Sequence, residues 1–267
     1  MDSGSRRITN TWLIDDSGVA NKGDFLLNQD GTFSSSSGDE DVVETIDGSK
    51  RLVTRSLQNW HTHLAMVLNK SMGEGLPLME WLETSIFPVE KRLTEKFVEH
   101  GTRAAIAEMI ATGTTFACDM YHFPESVVSA LNEAGLRGIV CGPQTQWPPQ
   151  EGGDDGSVRR ELDLLLASNR SENKVNYGVA THAIYTCDEN TLLGGKELAE
   201  KHDAYLSIHV SETRKEVADC FSKTGMYPVE YLDDIDYFIP EKTIGMNNYL
   251  YSFKGGKLYR HLSLIHI

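Results

Sequence analysis

The chain has no long apolar run and no obvious targeting segment. No stretch approaches the ~20 apolar residues that a membrane-spanning helix requires. The opening residues, Met1–Arg7, carry charges but no apolar segment directly behind them, so they do not resemble a secretory signal. We therefore expect a cytoplasmic protein.

Cysteines are few and widely spaced. They are Cys118, Cys141, Cys187 and Cys220. Without a Cys-x-x-Cys pair, they favour neither a disulfide framework nor a thiolate zinc site. We expect them to be reduced and mostly packed in the interior.

Basic residues are outnumbered by acidic ones. The 267 residues include 25 Lys+Arg and 39 Asp+Glu, which gives a formal net charge of −14. Such a chain repels phosphate backbones and anionic bilayers, so no nucleic-acid or membrane partner is expected. The length allows one or two domains.

Two textures follow one another along the chain. The first fifty-odd residues contain short apolar pieces between polar turns, which indicates strand-turn-strand structure, with Ser34–Asp41 as a loop or hairpin tip. From Leu52 onward, strand-like runs alternate with amphipathic helical ones, which predicts an α/β fold with a parallel sheet covered by helices. The predicted strands lie near Leu57–His63, Thr114–Tyr121, Leu136–Cys141, Val175–Thr181, Tyr205–Val210 and Thr243–Leu250. The predicted helices span Pro88–Glu108, Pro124–Glu133, Ser157–Ala167, Asp188–Lys201 and Glu212–Lys223.

Three positions predict helix ends. Thr94 precedes an apolar helical pattern and is a candidate N-terminal cap. Gly113 and Gly135 each stand between a helical pattern and a β-branched or apolar run, where a left-handed residue ends the helix.

Histidines at predicted strand ends are the main chemical signal. His61 and His63 are two residues apart, so in a strand both imidazoles leave the same face and can converge on one ion. His209 ends another strand and Glu212 follows it, which offers a ligand and a proton carrier, although Glu212 could also be a helix N-terminal acid. His182 ends a third strand. Together these positions favour a metal site.

The other histidines carry weaker signals. His122 follows a predicted strand, where a structural role is favoured over a place in a pocket. Surface positions are expected for the remainder, which are His100, His202, His261 and His266.

Four motifs, taken in order, resemble one known family. They are Asn59–Met66, Leu76–Leu82 followed by Ile86–Glu90, His182–Cys187, and Ile208–Arg214. The ordered set resembles the amidohydrolase superfamily, in the branch of 5-methylthioadenosine/S-adenosylhomocysteine deaminases and their chlorohydrolase relatives. The resemblance covers roughly residues 50 to 240.

The resemblance implies a metal-dependent (β/α)₈ TIM-type barrel with a flanking β-sandwich. Residues 1–55 would be the N-terminal portion of that sandwich, and residues 56–245 an incomplete barrel of about five to six strands. Residues 246–267 form an atypical tail, for which a non-native origin such as a shifted reading frame is one explanation.

The resemblance also implies the site residues. His61, His63 and His209 match ligands for zinc, or for iron in some relatives. Glu212 matches the glutamate that protonates the ring nitrogen and helps to move a proton to the leaving ammonia. Two further residues match substrate contacts: Glu90 would accept hydrogen bonds from ribose hydroxyls, and His182 would contact the substrate.

A basic contact to the far end of the substrate is assigned more loosely. Either Arg159 or Arg160 could supply it. Without the resemblance, Glu90 would be interpreted as a solvated acid at the start of a helix.

The implied reaction is hydrolytic deamination of an adenine nucleoside, in which metal-activated water attacks the ring carbon that carries the amino group. A chlorohydrolase, or a guanine or cytosine deaminase, is the alternative enzyme. The partner would be a small purine nucleoside, and a homo-oligomer is left open.

The sequence departs from the family pattern beyond residue 245. The family has a histidine at the end of strand six, where Asn247 stands here, and an aspartate at the end of strand eight, which has no counterpart in this sequence. An inactive truncated fragment is therefore a third hypothesis. We expect weaker metal binding than in a complete relative and a tendency to aggregate, because an open barrel exposes strand edges.

Overall fold

The computed structural model divides the chain into two compact units, Met1–Ser56 and Leu57–Ile267. The structure describes residues 4–35, 42–144, 156–246, 250–254 and 257–261, the last two ranges by their backbone alone. No helix within these ranges is long and apolar enough to cross a membrane.

The first unit is a five-stranded sheet. Its strands are β1 (Ser5–Ile14), β2 (Ala20–Leu27), β3 (Phe33–Ser35), β4 (Val42–Asp47) and β5 (Leu52–Val53). The central strand β1 pairs with β2 antiparallel and with β4 and β5 in parallel. The predicted strands are confirmed, while the place of this sheet in a larger sandwich stays a prediction. The predicted loop begins two residues too early, because Ser34 and Ser35 belong to β3, and its residues 36–41 lie outside the described residues.

The second unit contains a six-stranded parallel sheet. Its strands are β6 (Leu57–Thr62), β7 (Thr114–Met120), β8 (Arg137–Pro143), β9 (Val175–Ala183), β10 (Leu206–His209) and β11 (Thr243–Met246). They are ordered in the sheet as in the chain, with β6 and β11 at the two edges. The edges approach each other, so that the sheet curls into a nearly closed barrel. The predicted α/β barrel class is confirmed.

Helices connect the strands in the alternation that the sequence predicts. They are α1 (Leu78–Trp81), α2 (Phe87–Glu90), α3 (Glu95–Thr112), α4 (Pro124–Ala134), α5 (Ser157–Leu166), α6 (Glu189–Lys201), α7 (Arg214–Thr224) and α8 (Pro228–Asp234). An antiparallel pair follows the barrel, formed by β12 (Leu250–Lys254) and β13 (Lys257–His261).

One predicted element differs from the structure. The single helix predicted over Pro88–Glu108 is wrong: α2 ends at Glu90, and α3 begins only after Thr94. The Thr94 hydroxyl accepts a hydrogen bond from the Phe97 amide at 3.2 Å, and this cap requires an extended backbone that interrupts the helix. The strand predicted over Thr243–Leu250 is confirmed for Thr243–Met246, and residues 247–249 of it lie outside the described residues.

Both predicted glycine helix ends are confirmed. Gly113 and Gly135 follow α3 and α4 with φ angles of 81° and 73°. A side chain would be strained in this left-handed region, and glycine has none.

Apolar side chains fill both faces of the parallel sheet. One cluster lies on the inner face of the curled sheet and includes Cys118, Met120, Ile139, Cys141, Ala180 and Met246. Two others pack the outer face against the helices. All four cysteines are free thiols, three of them buried, as predicted. The packing on both faces therefore holds the six parallel strands in place.

Candidate metal centre and substrate cleft

Three histidines converge at the carboxyl end of the parallel strands. His61 belongs to β6, His63 directly follows that strand, and His209 is the last residue of β10. One ring nitrogen of each lies within 4.8 Å of those of the other two. The ring centroids are between 5.1 and 5.3 Å apart. The structure thus brings together all three predicted metal ligands.

Backbone carbonyls fix the orientation of two of these rings. Nδ1 of His63 donates to the Met120 carbonyl at 2.7 Å, and Nδ1 of His209 donates to the His182 carbonyl at 2.9 Å. A carbonyl oxygen can only accept, so the proton of each neutral ring is on Nδ1 and its Nε2 carries a lone pair. The two Nε2 atoms of His63 and His209 are 3.2 Å apart. Two lone pairs at this distance repel each other unless a cation lies between them, so this donor set fits a divalent metal ion.

Burial keeps the three imidazoles neutral. It lowers the pKa of His61 to about 4, with a further contribution from His63. It also lowers the pKa of His63 and, more strongly, that of His209. Neutral imidazole is the form that binds zinc and similar ions.

Glu212 lies in a tight turn between β10 and α7. Ser211, just before it, has a φ of 55°, in the region that non-glycine residues rarely adopt. The buried carboxylate of Glu216 holds this turn by accepting from the amides of Ser211 at 2.9 Å and Glu212 at 2.7 Å. The backbone of Glu212 is therefore held in place, and its side chain faces the cleft.

The Glu212 side chain has a specific partner. The Tyr185 hydroxyl donates to its Oε2 at 2.7 Å. Burial raises the pKa of Glu212, while the Tyr185 hydroxyl lowers it by a smaller amount. The carboxyl therefore holds a proton at a higher pH than an exposed glutamate does.

His182 lies beside the histidine cluster. It comes from the end of β9, and its ring centroid is 4.9 Å from that of His209. Its Nδ1 is 2.9 Å from the Thr186 hydroxyl. Burial lowers its pKa to about 3, so the ring is neutral at physiological pH.

A cleft of about 830 Å³, including its open mouth, connects these groups. Its apolar wall includes Trp81, Leu82, Ile86 and Phe87. Its polar groups include Glu90, His122, His182, Tyr185 and Glu212, together with the ligands His63 and His209. An apolar cleft with a few convergent polar groups is typical of small-molecule sites.

Glu90 lies at the end of α2 with its side chain 7% exposed. Burial raises its pKa to about 7, and the nearby Tyr121 hydroxyl partly offsets this effect. The Glu90 Oε2 is 4.0 Å from His122 Nε2. His122, whose pKa burial lowers to about 4, therefore lines the cleft, the role that the sequence left as the less favoured one.

The described lining of the cleft does not include Arg159 or Arg160. Arg159 Nη1 donates to Gln144 Oε1 and to the Gly194 carbonyl, each at 2.9 Å. These bonds connect α5 to the residue after β8 and to α6. Asn247, which stands where the resembled family has histidine, lies outside the described residues.

Two contributors to the site escaped sequence reasoning. Tyr185 and Glu216 each act on Glu212 from a different element or turn, and neither belongs to a metal-ligand spacing. A usable signal for Glu216 was its position four residues after Glu212, within reach of a turn that must be capped.

A sequence profile of the amidohydrolase family matches residues 52–265. The chain belongs to this family. The match spans the parallel sheet and the three converging histidines, and such folds place their chemistry at the carboxyl ends of the strands.

Named relatives of this amidohydrolase are nucleoside deaminases. It is 39% identical over 209 residues to a 5'-deoxyadenosine deaminase from Methanosphaera stadtmanae. This alignment covers 76% of this chain and 48% of the relative. It is 37% identical over 201 residues to a 5-methylthioadenosine/S-adenosylhomocysteine deaminase from Thermoanaerobacter pseudethanolicus. That alignment covers 74% of this chain and 46% of the relative. The chain spans about half the length of these curated relatives.

A solved relative carries a metal. The crystal structure of an adenosine deaminase from Xanthomonas campestris with bound zinc superposes with a TM-score of 0.75 at 25% identity. The match covers 89% of this chain and 56% of that one.

Proposed function

We propose that this chain forms the metal- and substrate-binding region of a hydrolytic deaminase of adenine nucleosides, of the 5-methylthioadenosine/S-adenosylhomocysteine type. The observation that carries the proposal is the position of Glu212, whose carboxyl faces the same cleft as His63 and His209. A buried carboxyl of raised pKa beside a metal site is suited to transfer protons. The names of the curated relatives support the substrate class.

His61, His63 and His209 would hold the ion, with zinc as the first choice and iron as the alternative. When bound, the ion lowers the pKa of water so that attack on the ring carbon occurs near neutral pH. The chain contributes orientation, because the Nδ1–carbonyl bonds of His63 and His209 direct both Nε2 lone pairs toward one point.

Glu212 would carry the protons. In its protonated form it donates to the ring nitrogen beside the amino-bearing carbon, which makes that carbon more electrophilic. The carboxylate that results is stabilised by the hydrogen bond from Tyr185. It can then take one proton from the attacking water and pass it to the amino group, which departs as ammonia when the carbon–nitrogen bond breaks. The second proton of the water, lost as the carbonyl forms, restores the protonated Glu212.

Glu90 and His182 would bind the nucleoside. Glu90 is the carboxylate that accepts hydrogen bonds from ribose hydroxyls, and His182 contacts the base beside the metal ligands. The apolar side chains of Leu82, Ile86 and Phe87 exclude water from this end of the cleft. The substrate contact assigned to Arg159 stays a prediction, because Arg159 is not among the described residues that line the cleft.

The test is ammonia release by the purified, zinc-supplied chain. S-adenosylhomocysteine, 5-methylthioadenosine and 5'-deoxyadenosine are compared with guanine, cytosine and a chlorotriazine. Turnover of the adenine nucleosides alone, lost in Glu212→Gln, is the expected result. Glu212→Gln keeps the size of the side chain but cannot lose and regain a proton.

Other outcomes contradict the proposal in different ways. Ammonia from guanine or cytosine, or chloride from the triazine, in place of nucleoside turnover would assign the site to another branch of the family. Stoichiometric zinc and bound nucleoside without any turnover would identify the inactive fragment that the sequence left open.

A further inference from the structure

Asp119 is a fully buried carboxyl on β7, next to the metal-binding loop and outside the cleft lining. Its Oδ1 accepts a hydrogen bond from the Leu64 amide at 2.6 Å, and it shares the Thr62 hydroxyl, at 3.1 Å, with the Cys118 carbonyl at 2.9 Å. These two donors lie immediately before and after His63. One carboxylate oxygen therefore holds the backbone on both sides of a predicted metal ligand.

The second carboxylate oxygen of Asp119 bears on why a carboxylate is present at this position. Oδ2 is buried and has no hydrogen-bond partner among the described residues. A carboxylate oxygen that is desolvated without a partner costs free energy. Local packing does not account for such a residue, whereas a requirement for the Oδ1 contacts does.

The segment that Asp119 holds is irregular. The register between β6 and β7 shifts between Asn59 and Thr62, so that β6 has one more residue than β7 in the segment that contains His61. The strand ends at Thr62, and His63 has φ −129° and ψ 73°, outside regular strand and helix geometry. In the parallel sheet β6 is an edge strand, so β7 is its one paired neighbour there. The backbone around His63 therefore relies on side-chain hydrogen bonds from β7.

The next residue of β7 orients the ring itself. The Met120 carbonyl accepts from His63 Nδ1 at 2.7 Å. Asp119 and Met120 thus act on the same ligand, one through the backbone and the other through the imidazole.

We propose that Asp119 is a positioning residue for the metal ligand His63, which it fixes through the Leu64 amide and the Thr62 hydroxyl. The inference rests on the metal centre proposed above. Hydrogen-bonding partners behind metal ligands typically change metal affinity by about 10- to 100-fold when they are removed. The same range is expected for Asp119→Ala.

The test uses Co²⁺ as the probe, because its visible absorption reports the ligand geometry directly. The full chain is titrated with Co²⁺ as wild type, Asp119→Ala, Asp119→Asn and Thr62→Val. Asp119→Asn keeps one acceptor oxygen and is expected to retain most of the affinity. Thr62→Val removes one of the two donors with little change of shape and is expected to weaken binding less than Asp119→Ala.

A matched control separates positioning from general destabilisation. Thr102, on α3, is also fully buried, and its hydroxyl has no hydrogen-bond partner among the described residues. Thr102→Ala is expected to leave the Co²⁺ spectrum and Kd unchanged. Thermal unfolding of each variant verifies that the compared proteins are folded.

A double variant tests the pathway. If Asp119 acts through Thr62, then Asp119→Ala with Thr62→Val weakens Co²⁺ binding by less than the product of the two single effects. The inference would be overturned if folded Asp119→Ala bound Co²⁺ with the wild-type Kd and spectrum. It would also be overturned if Asp119→Asn bound Co²⁺ as weakly as Asp119→Ala does, or if Thr102→Ala bound it as weakly as either variant of Asp119. Failure of the wild-type chain to bind Co²⁺ would instead contradict the metal centre itself.

Discussion

The carbonyl oxygen of His182 accepts a hydrogen bond from Nδ1 of His209 at 2.9 Å. The two residues lie at the carboxyl ends of neighbouring strands, and their ring centroids are 4.9 Å apart. The backbone of a proposed substrate contact therefore orients a proposed metal ligand. A shift of the β9 end would turn the His209 ring, so changes in substrate binding and in metal binding are expected to be coupled.

Removal of His209 should abolish tight metal binding. His209→Ala leaves two of the three nitrogen ligands, and we expect zinc affinity to fall by more than about 100-fold, beyond the range for partners behind the ligands. The measurement is a competition titration with a chromogenic chelator. His100→Ala is the control, because His100 lies exposed on α3. Stoichiometric, tightly held zinc in His209→Ala would contradict the assigned ligand set.

Loss of the Tyr185 hydroxyl should slow proton transfer. Tyr185→Phe removes the hydrogen bond to Glu212 Oε2. Hydrogen bonds to charged groups contribute about 1.5–3 kcal/mol, so the rate of ammonia release should fall by about tenfold or more. Tyr227→Phe, at an exposed tyrosine, serves as the control. An unchanged rate in Tyr185→Phe would show that Glu212 does not depend on this partner.

Nucleoside affinity should rise with pH through the titration of Glu90. Burial raises the pKa of Glu90 to about 7. The carboxylate, which we propose accepts hydrogen bonds from the ribose hydroxyls, is therefore the minor form below this pH and the major form above it. We expect Kd for 5'-deoxyadenosine to decrease between about pH 6 and pH 8.

Two comparisons isolate the contribution of Glu90. Glu90→Gln stays neutral and should lose this part of the pH dependence. For an analogue without the ribose hydroxyls, this pH dependence of Kd should be absent with the wild type and with Glu90→Gln alike. A pH profile that is the same for wild type and Glu90→Gln would remove Glu90 from the nucleoside site.

A methyl group at Gly101 should displace the segment that follows the proposed metal ligand His63. A Cβ at this position of α3 would lie 2.5 Å from the Ala65 carbonyl oxygen and 2.8 Å from the Ala65 Cα. Backbone atoms cannot yield as a flexible side chain does, so Gly101→Ala should cost about 1–3 kcal/mol of unfolding free energy. Urea unfolding measures this change.

Gly101→Ala should also weaken Co²⁺ binding, because Ala65 lies in the 3₁₀ helix Leu64–Asn69 directly after His63. Lys96→Ala, at an exposed position of the same helix, is the control. Full stability together with wild-type Co²⁺ binding in Gly101→Ala would show that the loop tolerates displacement.

The sequence was informative wherever a signal is local. Alternation of strand and helix patterns predicted the parallel sheet, and the spacing of His61 and His63 predicted a shared direction. The helix predicted across Pro88–Glu108 was wrong because the apolar period continues through a region where the Thr94 cap interrupts the backbone. A local hydrogen bond there outweighed a favourable pattern.

Relationships between distant residues could not be predicted from the sequence. Thr62 and Asp119 are brought together by strand pairing, and Tyr185 reaches Glu212 across the ends of two strands. The bulge in β6 also lay beyond pattern reasoning, because nothing in the residue types there specifies a shifted register. Such contacts depend on how the sheet curls.

The order of strands in the nearly closed sheet gives the proposed metal ion a mechanical role. His61 and His63 come from β6 at one edge, and His209 comes from β10, next to the opposite edge strand. An ion bound to all three would cross-link the two sides of the sheet. It would close a loop of more than half the chain, so part of its binding free energy would appear as resistance of the barrel to opening.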